Sequence, residues 1–123
     1  RRYTAIDYVK AMRLRAEIRN SVLGILDHYH AIISPTTPIP AVEIGRTETT
    51  IDGQTLDIYT ALTNQTILYN VTGLPTISIP AGLTSDGLPI GFQLAGRPYN
   101  ESTILRIGHQ TMKKLGKKQP PTI

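Results

Sequence analysis

The sequence predicts an α/β fold in which helices pack against part of a β-sheet, and three observations carry that expectation. Apolar residues recur with a 3.6-residue period in segments near the start, middle and end of the chain, the spacing that gathers them on one side of a helix. Between the second and third of these segments, Ile77, Ile79 and Ala81 and then Ile90, Phe92 and Leu94 alternate with other residues on either side of Asp86-Gly87, the pattern of two strands joined by a turn. Across residues 58–96, Asp86 is the only formally charged side chain. A water-facing stretch of that length carries lysines and glutamates. This one is therefore expected to need cover on both sides, which a chain of 123 residues is hard pressed to supply.

Taken in order, Tyr8, Ala11, Met12, Ile18, Val22, Ile25 and Leu26 mark the inner face of a helix over residues 4–26, with the arginines on its water-facing side. The run Ala31-Ile32-Ile33-Ser34 is brief, β-branched and stopped by Pro35, which suits a buried strand. Pro35, Pro38 and Pro40 then impose an extended course, because each fixes its own φ and disfavours the helical region for the residue before it. Residues 41–55 are polar and read as a surface excursion holding a small hairpin at Asp52-Gly53.

A second helix is expected over residues 57–71, with Ile58, Ala61, Leu62, Gln65, Leu68 and Tyr69 inward, Gly73 to stop it and Pro75 to prevent its resumption. Its other side is Thr60, Thr63, Asn64, Thr66 and Asn70, polar but uncharged, as on a sheltered and hydrogen-bonded pocket wall. After the two strands, Asn100 is placed to cap a final helix with its side-chain oxygen, and Ile104, Ile107, Gly108, Thr111, Met112 and Leu115 form its inner face.

The formal charge of +4 sits at the two ends, on Arg1, Arg2, Lys10, Arg13, Arg15 and Arg19 and on Lys113, Lys114, Lys117 and Lys118. Solvated helix faces and a helix C-terminus account for these cations, and no RNA- or DNA-binding motif accompanies them, so nucleic acid is not an expected partner. With no cysteine in the sequence, disulfides, thiol nucleophiles and cysteine-ligated metals are excluded, which fits a reducing compartment and favours the cytoplasm. Asn64, Gln65, Asn70, Pro75 and Pro80 interrupt the uncharged stretch, so no membrane span is expected. The sequence opens on Arg1-Arg2, without an initiator Met or a signal-peptide pattern, and is expected to belong to a longer polypeptide.

Candidate chemistry is sparse. Asp27-His28-Tyr29-His30 is the one crowded ionisable segment, and it lacks the further ligands a metal site needs, so no metal is assigned. Ser34, Ser78, Ser85 and Ser102 sit in no G-x-S-x-G elbow, Ser-Ser pair or phosphate-cradling loop, and no catalytic residue or cofactor is assigned to the chain. Gly73, Gly82, Gly87 and Gly96 suit a helix stop, strand ends and a turn, and Gln93 suits the satisfaction of a buried backbone group.

Thr72-Gly73-Leu74-Pro75, Ser78-Ile79-Pro80-Ala81-Gly82, Gly87-Leu88-Pro89-Ile90-Gly91, Gln93-Leu94 and Gly96-Arg97-Pro98 follow one another as they do in the C-terminal part of the amidase signature family, which this chain resembles. The helix leading into an apolar strand and the succeeding Ser34-Pro35-Thr36-Thr37-Pro38 extend the resemblance over most of the chain, with residues 41–55 the poorest part. It implies a single large α/β domain with a mixed sheet between helices, of which residues 1–123 would be the C-terminal portion. It also implies hydrolysis of carbon–nitrogen amide bonds by a Lys and two serines, one after a cis peptide, all upstream of the matched residues, with no metal or other cofactor.

On that reading Thr36, Thr37, Thr63 and Asn64 are the substrate-pocket candidates. The partners would be the remainder of the amidase polypeptide, or another chain covering the open sheet, and a small-molecule amide in the complete enzyme. The A subunits of tRNA-dependent amidotransferases also resemble this chain but usually carry an Asp near Thr63 to hold a substrate ammonium; its absence favours a general amidase with a less polar substrate. The competing expectation is a non-catalytic assembly module that self-associates or pairs with another chain.

Overall fold

Thr4 starts the first helix, α1 (Ala5–Leu26), through a capping box: its hydroxyl accepts from the Asp7 amide while the Asp7 carboxylate accepts from the Thr4 amide. The structure, a computed structural model, describes residues 2–116; Arg1, Lys117 and Lys118 lie outside the described residues. Strand β1 (Ile32–Pro35) follows, then the hairpin of β2 (Glu48–Ile51) and β3 (Gln54–Asp57), whose two-residue loop has positive φ at both Asp52 and Gly53, as the sequence predicts. Helix α2 (Ile58–Thr72) is capped by the Asp57 carboxylate, which accepts from the Thr60 amide, and ends on Gly73 in the left-handed conformation at φ 65°. Glycine reaches that conformation without the steric cost a Cβ imposes, which is why the chain turns here toward the sheet.

Strands β4 (Thr76–Leu83) and β5 (Pro89–Ala95) pair antiparallel, and β1 adds antiparallel to the far side of β5, giving the order β1-β5-β4. The register sorts side chains into two faces. Ile33, Leu94 and Ile77 share one row and Pro35, Phe92 and Ile79 the next on one face, where α3 (Glu101–Leu115) lays Gly108 against Ile77 and Ile79. Rows Ile32, Ala95, Thr76 and Ser34, Gln93, Ser78 occupy the opposite face, toward α1 and α2. There Val22, Leu26, Tyr69, Leu74 and Ala95 form a buried cluster, joined by Leu23 and Ile32. At Gly96, directly after β5, a Cβ would stand 2.5 Å from Ile104 Cγ2, so the residue must be glycine for α3 to lie this close to the sheet.

Three local expectations are corrected. On α1, Tyr8 and Met12 are exposed and burial is confined to Val22 and Leu26, because the body of the molecule lies only beneath the last turns of the helix. The arginines of α1 do not all face water: Arg15 Nε donates to the Val71 carbonyl at 2.6 Å, and Arg19 donates to the Thr72 carbonyl. These are terminal carbonyls of α2, left without intrahelical partners and bearing the negative end of its dipole, so the cations belong there. Asn100 does not cap α3 with its side chain; its Oδ1 accepts the Thr103 hydroxyl at 2.7 Å, and the Thr103 amide goes to the Asn100 carbonyl. A local hydroxyl has outcompeted the free amides.

Candidate functional site

Where β1 runs out, the prolines carry the chain across the edge of the sheet and leave a cavity of about 540 Å³ beneath it. Ile33, Pro35, Phe92, Ile90 and Ala81 form its floor and sides, and the segment Thr37, Pro38, Ile39 and Pro40 overhangs it. Its lining is almost wholly apolar. Ile33 and Ile90 nevertheless remain 66% and 41% exposed, so the cavity is an open groove and not a closed core. An apolar groove with few polar groups at its mouth is the form expected of a pocket for the hydrocarbon part of a small molecule.

Of the four candidates from the sequence, Thr37 lies at this groove, with its hydroxyl donating to the Ile39 carbonyl at 2.8 Å, which holds the overhanging turn in shape. Thr36 turns to the other face of the sheet, where its hydroxyl and that of Ser78 are 2.9 Å apart and its amide donates to the Gly91 carbonyl. Thr63 and Asn64 lie on α2. The Thr63 hydroxyl is spent on the Tyr59 carbonyl one turn back, at 2.8 Å, and Asn64 is exposed.

A polar network separates the groove from α2. Gln93, 2% exposed, donates from Nε2 to the carbonyls of Pro35 and Gln65, both at 3.1 Å, and to Ser34 Oγ at 3.2 Å. Ser34 Oγ is in turn 3.1 Å from the Tyr69 hydroxyl. Gln93 therefore satisfies buried backbone carbonyls as the sequence suggests, but its three-way reach was not legible there. The charged groups lie elsewhere: Arg97 pairs with Asp27 and donates from Nε to the Leu26 carbonyl, closing the C-terminus of α1. His28 and His30 are exposed beside that pair, and among the described residues no cluster of three His, Asp or Glu side chains is placed to hold a metal ion. No described helix is long and apolar enough to cross a membrane.

Comparison with known proteins gives these features a setting. Residues 1–105 match the family model described as Amidase. Over 102 residues the chain is 42% identical to the A subunit of the glutamyl-tRNA(Gln) amidotransferase of Oceanobacillus iheyensis, an alignment that takes in 83% of this chain and 20% of that protein. Among solved structures, a crystal structure of an amidase superposes with a TM-score of 0.86 at 25% identity, covering 93% of this chain and 26% of that one. A chain from a vestigial protein complex, described as revealing the evolutionary origins of an s-triazine catabolic enzyme, superposes at 0.84 with 30% identity, covering 93% of this chain and 25% of its own. The chain thus spans about a fifth of the length of the curated relatives it matches.

Proposed function

Because the chain belongs to the amidase family, we propose that it supplies a pocket wall and part of the sheet of an enzyme that hydrolyses carbon–nitrogen amide bonds, with the reacting groups carried upstream of it. The observation that carries this reading is the family match across residues 1–105. Residues 1–123 are on this view the C-terminal portion of one larger domain, with residues 41–55 an excursion from its surface. The partner is then the rest of the polypeptide, which would cover exposed apolar residues such as Ile33 and Ile90.

In the reaction, an upstream Ser attacks the amide carbon while its proton passes through a second Ser to a neutral Lys, and the carbonyl electrons move onto oxygen. Collapse of that intermediate breaks the carbon–nitrogen bond, the amine leaves with a proton, and water then cleaves the acyl ester to free the acid. This chain's part is to hold the acyl portion in the groove between Phe92 and the Thr37–Pro40 overhang, while Thr36, Thr63 and Asn64, which lie across the sheet from that groove, would meet the substrate only through the elements the rest of the polypeptide adds. An uncharged Thr63, whose hydroxyl is already occupied, and an apolar groove both support an uncharged amide over one with an ammonium group.

The test compares hexanamide with glutamine as substrates of the complete polypeptide, scored by release of ammonia. We expect kcat/KM for hexanamide to exceed that for glutamine by about tenfold or more, and Asn64→Ala to change that ratio more than it changes folding stability. A preference for glutamine would assign the chain to the amidotransferase type, and turnover by the 123-residue chain alone would place the nucleophile within it.

The exposure of Ile6, Tyr8 and Val9 on α1, and of Tyr3 just before it, favours a second reading, a non-catalytic assembly module covered by another copy or another chain. A stable self-associating species of 13.5 kDa protomers with no larger precursor would support it over the hydrolase.

A further inference from the structure

We propose that Gln93 is a positioning residue for the substrate pocket, fixing the segment that overhangs the groove against helix α2 behind it, an inference that rests on the hydrolase reading above. The Pro35 carbonyl belongs to the peptide bond that leads into Thr36 and Thr37, and the Gln65 carbonyl lies one residue beyond Asn64. A single Nε2 atom bonds to both at 3.1 Å. The segment that overhangs the groove and helix α2 are therefore tied to one amide group on β5.

The chemistry leaves little choice of side chain. Two amide protons are shared among three acceptors, Pro35 O, Gln65 O and Ser34 Oγ, in a place only 2% exposed. Glutamate offers only acceptors there when ionised and would set its oxygens against two carbonyls, and an ammonium or guanidinium would be a buried charge without a counter-ion. Asparagine keeps the donors but is one methylene shorter and cannot reach every partner. Side-chain bonds within one element, such as that of the Thr72 hydroxyl to the Leu68 carbonyl four residues back, shape that element alone. Those of Gln93 span 28, 58 and 59 residues, so they fix the arrangement of separate elements and not the shape of one.

The experiment uses the complete polypeptide with three variants, Gln93→Met, Gln93→Asn and Tyr69→Phe, and two readouts. Hydrogen exchange is followed at the amides of Thr36, which donates to the Gly91 carbonyl, and Gln65, and the ratio of kcat/KM for hexanamide to that for acetamide reports how the pocket discriminates acyl length. Gln93→Met should speed exchange at both sites together and shift the ratio by about tenfold or more, since displacements of about 1 Å are felt at that scale. Gln93→Asn should fall between it and the wild type, and Tyr69→Phe, which removes a hydroxyl from the network but leaves both carbonyl bonds in place, should keep the wild-type ratio. Faster exchange at only one site, or a ratio within twofold of wild type in Gln93→Met, overturns the proposal. Should that variant fail to fold, an unchanged ratio in Gln93→Asn overturns it equally. If the wild type hydrolyses neither amide, the hydrolase reading fails on its own, and paired or unpaired exchange still decides whether Gln93 couples the two segments.

Discussion

The two ends of strand β5 are built from similar residues and meet different fates. Gln93, Leu94 and Ala95 are 2%, 5% and 0% exposed, whereas Ile90, three residues earlier, is 41% exposed. At the closed end α1 and α2 cover one face and α3 covers the other, and the backbone carbonyls that come together there are answered by Gln93. At the open end the apolar side chains of Ile90, Phe92 and Ile33 face a groove. Apolar character alone therefore does not say what a residue packs against. One end of the strand completes its interior with elements of this chain, and the other leaves the same chemistry lining an open groove.

The contrast can be broken most forcefully with a matched pair. Ile79, fully buried beneath α3, should lose about 2–5 kcal/mol in urea unfolding when changed to Ala, whereas Ile90→Ala in the same 123-residue chain should stay within about 0.5 kcal/mol. Equal losses would mean that the groove is not open in solution. A smaller effect is expected for Gly96→Ala: the new methyl would press on Ile104 Cγ2 and force α3 outward, at about 1–3 kcal/mol. The denaturant midpoint should fall and the slope should hold; an unchanged midpoint would show that α3 is not seated closely on the closed end.

The smallest effect expected is that of acid on the exposed helix starts, which the buried amide of Gln93 does not share. Hydrogen bonds from Thr60 hold the Asp57 carboxyl below its ordinary value of 3.8, and bonds from Thr4 do the same for Asp7. The unfolded chain then takes up these protons first as the pH falls. The stability each cap contributes is present above the ordinary carboxylate value and is lost as the pH drops through the lowered one. Asp57→Asn, which keeps an acceptor but does not titrate there, should flatten part of the decline in α2 helicity below about pH 4 measured by circular dichroism. An unchanged acid profile would show that the cap is not formed in solution.

How much of this could be read from the sequence depended on how local each feature was. The period-two runs at Ile77 and Ile90, the stop at Gly73 and the turn at Asp52-Gly53 are decided within a few residues, and the structure has them where the pattern puts them. Periodicity marks the inward side of α1 but not how far the protein body extends beneath it, so it assigns Tyr8 and Met12 to a core that ends short of them. Arg15 and Arg19 read as solvated charges because their partners, Val71 and Thr72, are more than fifty positions away. The groove is harder still, since Ile33, Pro40, Ala81 and Phe92 come together only through the order of the strands. For the candidates Thr36 and Thr37, alternation along an extended segment already sets them on opposite sides, but which side carries the groove is decided by the strand order and is not legible in the pattern.

The clasp between Arg97 and the end of α1 is one of three long-range ties that hold this helix in place. Arg97 reaches back 71 positions to the Leu26 carbonyl, while Arg15 and Arg19 reach forward 56 and 53 to the end of α2. None of these partners exists as a surface until α2 has stopped at Gly73 and β5 has paired with β4. Ordering such long intervening loops carries an entropic cost that is recovered only when the distant site is already formed. Helix α1 is therefore expected to dock after α2 and β5 have formed, in which case Arg15→Ala should speed unfolding while leaving the folding rate unchanged.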